Sequence, residues 1–216
     1  MNYKLAVFDM DGTILDTLED LTDSVNYVME RYHYPTHSLD AVRGFVGNGI
    51  RLLIERAVPQ GIAKEQIDAV YADFMEYYKE HCADKTKPYE GIVELLETLR
   101  AAGCLTAVVS NKADAAVQEL CVQYFDGLFD FAIGERAGMA KKPAPDAVYE
   151  VLKQLEVSKA DAVYIGDSDV DFDTARNSGL DCISVTWGFR TEEFLRNYGA
   201  KTIARTTNEV AARILG

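Results

Sequence analysis

Six short apolar runs limit the folds open to this chain: KLAVF (4–8), LTAVVS (105–110), FDFAIG (129–134), AVYIG (162–166), CISVT (182–186) and KTIA (201–204). Each is bounded by turn or acidic residues and is apolar without strict alternation, as expected of strands buried on both faces. Helical patterns lie between them, at Ile92 to Ala102, Ala113 to Tyr124, Asp146 to Leu155, Phe172 to Ser178 and Asn208 to Leu215, two of them stopped by Gly103 and Gly179. Such alternation predicts an α/β protein with a doubly wound, Rossmann-like parallel sheet.

One interval breaks the rhythm. Between the first run and Leu105 lie almost a hundred residues, although a parallel crossover needs only a dozen or more, usually one helix. The helix from Ile92 already serves as that crossover. The surplus reads as four helices, LEDLTDSVNYVMERY, SLDAVRGFV, GIRLLIERAV and KEQIDAVYADFMEYYKEH, punctuated by Pro35, Gly47-Asn48-Gly49 and Pro59 to Gly61. The predicted organisation is a discontinuous α/β core, 1–16 with 85–216, carrying a small inserted helical domain over 17–84. Its hinges fall near Asp16 and in ADKTKPYEG.

Composition narrows the function. With 35 acidic against 22 basic residues, a net charge of −13 and a pI near 4.6, the chain has no basic stripe for nucleic acid or an anionic membrane. No stretch approaches transmembrane length, and the N-terminus lacks a signal-peptide pattern. Cys82, Cys104, Cys121 and Cys182 are spread singly, with no zinc spacing, and read as buried thiols of a reducing compartment. A cytoplasmic protein is expected. If its substrate is anionic, cations must be gathered locally or supplied as a metal ion.

Ligands of open α/β sheets bind outside the carboxyl ends of the strands, and four runs here end in polar clusters. After the first comes Asp9-Met-Asp11-Gly-Thr13. If the extended path continues past Phe8, Asp9 and Asp11 point the same way, a costly pairing that suits a hard, oxygen-seeking cation. Gly12 permits a turn with positive φ, and Thr13 offers a hydroxyl or a cap. Ser110 and Asn111 end the second run, as helix N-caps or as a cradle for phosphate oxygens. Lys141 and Lys142 precede Pro143 in a loop, where a lysine can neutralise both a phosphate and a carboxylate. The run AVYIG is followed by acids at 167, 169, 171 and 173. Capping explains one or two of them; of the rest, Asp167 is favoured as a metal ligand and Asp171 as a lysine partner.

Together Asp9-Met-Asp-Gly-Thr, Ser110-Asn, Lys142-Pro-Ala-Pro and Gly166-Asp-Ser-Asp-Val-Asp171 resemble, in order, the four motifs of the haloacid dehalogenase-like phosphohydrolase superfamily, across essentially the whole chain. The insert resembles the family's small helical cap of the C1 type. The segments FVGNGIRLLIERAV and VTWGF are similar to the phosphoglycolate phosphatase group. The resemblance implies Asp9 as nucleophile, forming an aspartyl phosphate, and Asp11 as general acid and then base. It implies Mg²⁺ held by the Asp9 carboxylate, the Asp11 backbone carbonyl and Asp167, phosphate held by Ser110, Asn111 and Lys142, and support from Asp171 and Thr13. Cap residues Gly47, Asn48, Gly49 and Arg51 are the candidates for substrate selection, with Arg43 or Arg51 available to a substrate carboxylate. The expected partner is a small phosphorylated metabolite, bound by a monomer or homodimer. Pyrophosphatase, nucleotidase, sugar-phosphate phosphatase and phosphoglucomutase activities stay open. Asp11 argues against a dehalogenase, and the insert against a phospho-acceptor signalling module.

Overall fold

The computed structural model describes residues 1–47 and 49–216; the sequence candidate Asn48 lies outside the described residues. The chain divides into two compact units, Met1–Leu15 with Pro88–Gly216, and Asp16–Lys87.

The first unit is built on a six-stranded sheet. Its strands are β1 (Leu5–Phe8), β4 (Leu105–Ala113), β5 (Phe131–Glu135), β6 (Ala162–Gly166), β7 (Asp181–Val185) and β8 (Ile203–Ala204), in the order β5-β4-β1-β6-β7-β8. Every adjacent pair is parallel. The chain therefore winds outward from β1 to one side, then crosses back to continue on the other. Because β1 is central, all four of its residues are fully buried, which is why its run shows no polar alternation. Leu5 and Val7 share one face with Ala107, Val109 and Tyr164, beneath α7 (Asp146–Gln154) and α8 (Asp169–Ser178).

Helices α5 (Ile92–Ala101), α6 (Asp114–Phe125) and α10 (Thr207–Leu215) fall within a residue or two of the sequence patterns. Helix α9 (Glu192–Tyr198) was not predicted; it is two turns long and its only buried residue is Leu195, too little periodicity to read. Helix α8 starts at Asp169, before the predicted Phe172, because Ser168 caps it. Cys104 is buried, but Cys82, Cys121 and Cys182 are only half-buried, which corrects the expectation of four buried thiols; none of the four is disulfide-bonded.

The second unit holds α1 (Leu18–Arg31), α2 (Leu39–Phe45), α3 (Ile50–Ala57) and α4 (Lys64–His81). Leu21, Val25 and Val28 on α1 and Val70, Phe74 and Tyr78 on α4 recur at helical spacing and are buried. Buried Asp20 accepts hydrogen bonds from the Lys85 and Thr86 backbone N–H groups and from the Thr86 hydroxyl (2.7–3.1 Å), fixing the returning strand of chain to α1. Strands β2 (Leu15–Asp16) and β3 (Lys87–Pro88) pair where the chain leaves and re-enters the sheet. Among the described residues no helix is long and apolar enough to cross a membrane.

Candidate active site

Register builds the site. Phe8 lies opposite Val108 of β4 and Ile165 of β6, so Asp9, Ser110 and Asp167 emerge together at the carboxyl edge where the winding reverses, the usual place for a ligand in such a sheet. The strand geometry is not simply continued past Phe8. After Asp9 the chain turns, the Ile14 and Leu15 N–H groups donating to the Met10 carbonyl, and Asp9 and Asp11 meet different lysines. On β4 the ladder is broken between Val109 and Ala113. That irregularity holds Ser110, Asn111 and Lys112, with the Ser110 hydroxyl accepting from the Lys112 N–H at 3.1 Å.

Lys142 is the hub. Its ammonium donates to Asp9 Oδ1 (2.6 Å), Asp171 Oδ1 (2.8 Å) and the Tyr164 hydroxyl (3.1 Å), so all three N–H groups are used in a buried position. Asn111 fixes its backbone: the Asn111 side-chain oxygen accepts from the Lys142 N–H (2.9 Å) and its amide donates to the Lys142 carbonyl (3.1 Å). The Lys142–Pro143 peptide is cis. Burial works against the charge on Lys142, but Asp171 and Asp9 outweigh it and hold the ammonium protonated. For Asp9, burial foremost and then repulsion from Asp171 push the carboxyl well above its ordinary range, against the pull of Lys142. Burial and Asp171 likewise push Asp167 up to about 7.

The four acids after β6 have separate fates. Asp171 is buried, with Oδ1 on Lys142 and Oδ2 accepting from the Ser168 N–H and hydroxyl (3.2 and 2.6 Å), so both its oxygens are committed. It packs so closely on Gly166 that a Cβ there would strike its side chain. Asp169 pairs with Arg190 at 3.2 Å and Asp173 with Arg176 at 2.9 Å. Asp167 is held by neutral donors, the Phe189 N–H on Oδ2 (2.6 Å) and the Thr13 hydroxyl on Oδ1 (3.2 Å).

Asp11 stands apart from this cluster. Lys112 Nζ lies 3.2 Å from its Oδ1, a charge contact without hydrogen-bond direction, so this buried oxygen keeps an acceptor position open. Sequence reasoning missed Lys112, whose side chain is only 7% exposed. It also missed Tyr164, although a tyrosine inside an otherwise aliphatic buried strand was a visible signal.

The donor set fits a divalent metal. Carboxylate oxygens of Asp9, Asp167 and Asp171 lie within 4.8 Å of one another, and three carboxylates facing one ammonium leave two negative charges in excess. Repulsion of this kind raises carboxyl pKa values, and a hard cation with oxygen ligands relieves it. Asp167 is held by neutral donors alone and keeps its charge for an ion, whereas Lys142 lies between Asp9 and Asp171.

In the helical unit, Gly47 has φ +113° and Gly49, at the N-cap of α3, φ +88°. Arg51 bridges Glu55 (2.8 Å) and Asp68 (2.5 Å) and lies over the Tyr71 ring. Arg43 pairs with Asp40 at 3.2 Å.

The fold and site define an α/β protein with an open parallel sheet and a buried, lysine-bridged carboxylate centre at its winding reversal. Residues 6–185 match the haloacid dehalogenase-like hydrolase family, and the chain belongs to it. It is 33% identical over 205 residues to a phosphoglycolate phosphatase of Psychrobacter arcticus, covering 91% of this chain and 89% of that one. A Colwellia psychrerythraea phosphoglycolate phosphatase is 31% identical over 96% of this chain and 95% of its own. A crystal structure from Lactobacillus delbrueckii subsp. bulgaricus, provisionally named a phosphoglycolate phosphatase, superposes over the full length of both chains with a TM-score of 0.96 and 40% identity.

Proposed function

We propose that the chain is a Mg²⁺-dependent phosphatase of small phosphorylated metabolites, with phosphoglycolate-like substrates foremost, working through an aspartyl phosphate. The observation that carries this reading is the buried centre of Asp9, Asp167, Asp171 and Lys142, whose excess of two negative charges one divalent cation would balance.

Asp9 would attack phosphorus through Oδ2, since Oδ1 is engaged by Lys142. The leaving alkoxide takes a proton from Asp11, and the phosphoryl group is then on Asp9. In the second half Asp11 takes a proton from water, whose oxygen attacks the same phosphorus; phosphate leaves and the Asp9 carboxylate is regenerated. Ser110 would donate its hydroxyl to a phosphoryl oxygen. Lys142 lowers the charge of the nucleophile next to an anionic substrate, and Asp171, Tyr164 and the Asn111 clamp keep its ammonium on Asp9. Asp9, Asp167 and the Asp11 carbonyl would hold Mg²⁺, which when bound neutralises charge on the phosphoryl oxygens. The sequence likeness to phosphoglycolate phosphatases supports glycolate as the leaving group.

The test is a panel of phosphorylated metabolites, with kcat/KM measured for each in Mg²⁺ and again in excess EDTA. Sustained, EDTA-sensitive turnover with phosphoglycolate at the head of the panel is expected. Release of a single equivalent of product would sink the hydrolase reading; a nucleotide, pyrophosphate or sugar phosphate at the head would sink the substrate.

A further inference from the structure

The loop after β7, Thr186-Trp187-Gly188-Phe189, takes no part in the chemistry above, yet it makes three contacts with the groups that do. The Phe189 N–H donates to Asp167 Oδ2 at 2.6 Å, and the Trp187 indole N–H donates to the Thr13 carbonyl at 3.0 Å. Gly188 fits between them with no room to spare: a Cβ there would be driven into the Gly12 carbonyl oxygen and the Asp167 carboxylate. The fit is mutual, because a Cβ on Gly12 would come within 2.6 Å of Asp167 Oδ2 and 2.8 Å of the Phe189 ring.

We propose that this loop is a clasp whose backbone orients Asp167 as a metal ligand, making Gly188 and Trp187 positioning residues for the ion. The inference rests on the metal-dependent reading above. Asp167 and Asp171 show what the clasp achieves. Asp171 is oriented by an ammonium, which neutralises it as it holds it. Asp167 is oriented by an amide and a hydroxyl, which fix both oxygens and leave the charge to be met by something else. A carboxylate oriented in this way keeps its full charge for a cation, which Asp9 and Asp171, sharing the Lys142 ammonium, do not. Trp187 extends the same fixation to the turn that carries Thr13, whose hydroxyl is the second holder of Asp167. Outer partners of this kind set ligand geometry, and their loss typically costs about 10- to 100-fold in metal affinity.

The test is Mn²⁺ binding alone, without substrate, by electron paramagnetic resonance of the free ion, alongside the thermal midpoint of each variant in EDTA. Gly188→Ala is expected to weaken Mn²⁺ by about 10- to 100-fold. Trp187→Phe keeps an aromatic ring and loses the donor, and is expected to weaken it about threefold, the size of one neutral hydrogen bond. A loop that merely packs would lower the thermal midpoint and leave affinity alone. A folded Gly188→Ala protein within twofold of wild type overturns the proposal. If Gly188→Ala does not fold, the same threshold applied to Trp187→Phe decides it. Wild-type protein that binds no Mn²⁺ would instead remove the metal-dependent reading, and the clasp with it.

Discussion

Lys142 and Arg51 are drawn alike: each is a cation bridging two carboxylates. Lys142 joins Asp9 to Asp171 with a side chain 4% exposed, whereas Arg51 joins Glu55 to Asp68 with a side chain 35% exposed. The bridging pattern therefore says little about function; desolvation separates the two. On the surface, water competes for every partner and an ion pair is easily exchanged. In the interior the charges cannot fall back on water, so removing the one cation strands the carboxylates around it. A buried cluster with charge left over is unfavourable for folding alone, which is why it marks the chemistry. Arg51, half-exposed, pairs with partners that are themselves on the surface.

The sharpest break of this comparison is Asp9→Asn. Turnover on p-nitrophenyl phosphate should fall at least about 100-fold, since the amide is not a nucleophile. The thermal midpoint in EDTA should match or exceed that of wild type, because a carboxylate disfavoured by burial has been replaced by a neutral group of the same shape. Activity above about 1% of wild type would refute the role of Asp9. Lys142→Met attacks the same centre from the other side. It leaves Asp9 and Asp171 without their ammonium and should cost about 3–5 kcal/mol of stability by urea denaturation, besides abolishing turnover. A loss below about 1 kcal/mol would mean that the bridge is solvated after all, as exposed pairs are.

How far the sequence foretold this centre depends on the range of each contact. The strands and their order of burial were readable because parallel strands buried on both faces leave continuous apolar runs, and parallel winding brings all strand ends to one edge. Asp9, Ser110, Lys142, Asp167 and Asp171 could thus be nominated from position alone. The clamp of Asn111 on Lys142 spans 31 residues, the contact of Lys112 with Asp11 spans more than a hundred, and Phe189 reaches Asp167 across 22. None has a period or a local signature. They arise from the break in β4 and the path of the loop after β7, which only tertiary packing decides. The acids at 169 and 173 show the converse. In the sequence they are two more acids after a strand, without evident partners; the structure places them on α8, matched by Arg190 and Arg176.

Lys112→Met probes the middle of the comparison, a buried cation 3.2 Å from the Asp11 carboxylate. Its removal frees the Asp11 side chain to turn, and misplacing a proton-transfer group by about 1 Å costs up to about 100-fold. The fall should appear in kcat for p-nitrophenyl phosphate and phosphoglycolate alike, with Mn²⁺ affinity unchanged. A normal kcat would make Lys112 a packing residue.

Arg51→Ala is the mildest change and tests the exposed side of the comparison. Glu55 and Asp68 are themselves on the surface and are hydrated once the guanidinium is gone, so the thermal midpoint should barely move. If Arg51 trades these partners for a substrate carboxylate, kcat/KM for phosphoglycolate should fall about fivefold, the scale of an exchangeable exposed pair. The value for p-nitrophenyl phosphate, which has no carboxylate, should hold. The contrast also predicts salt sensitivity: the phosphoglycolate preference of wild type should shrink as ionic strength rises, because an exposed charge contact is screened. Equal losses on both substrates would leave Arg51 as an ordinary surface bridge and move the search for selectivity to other residues of the helical unit.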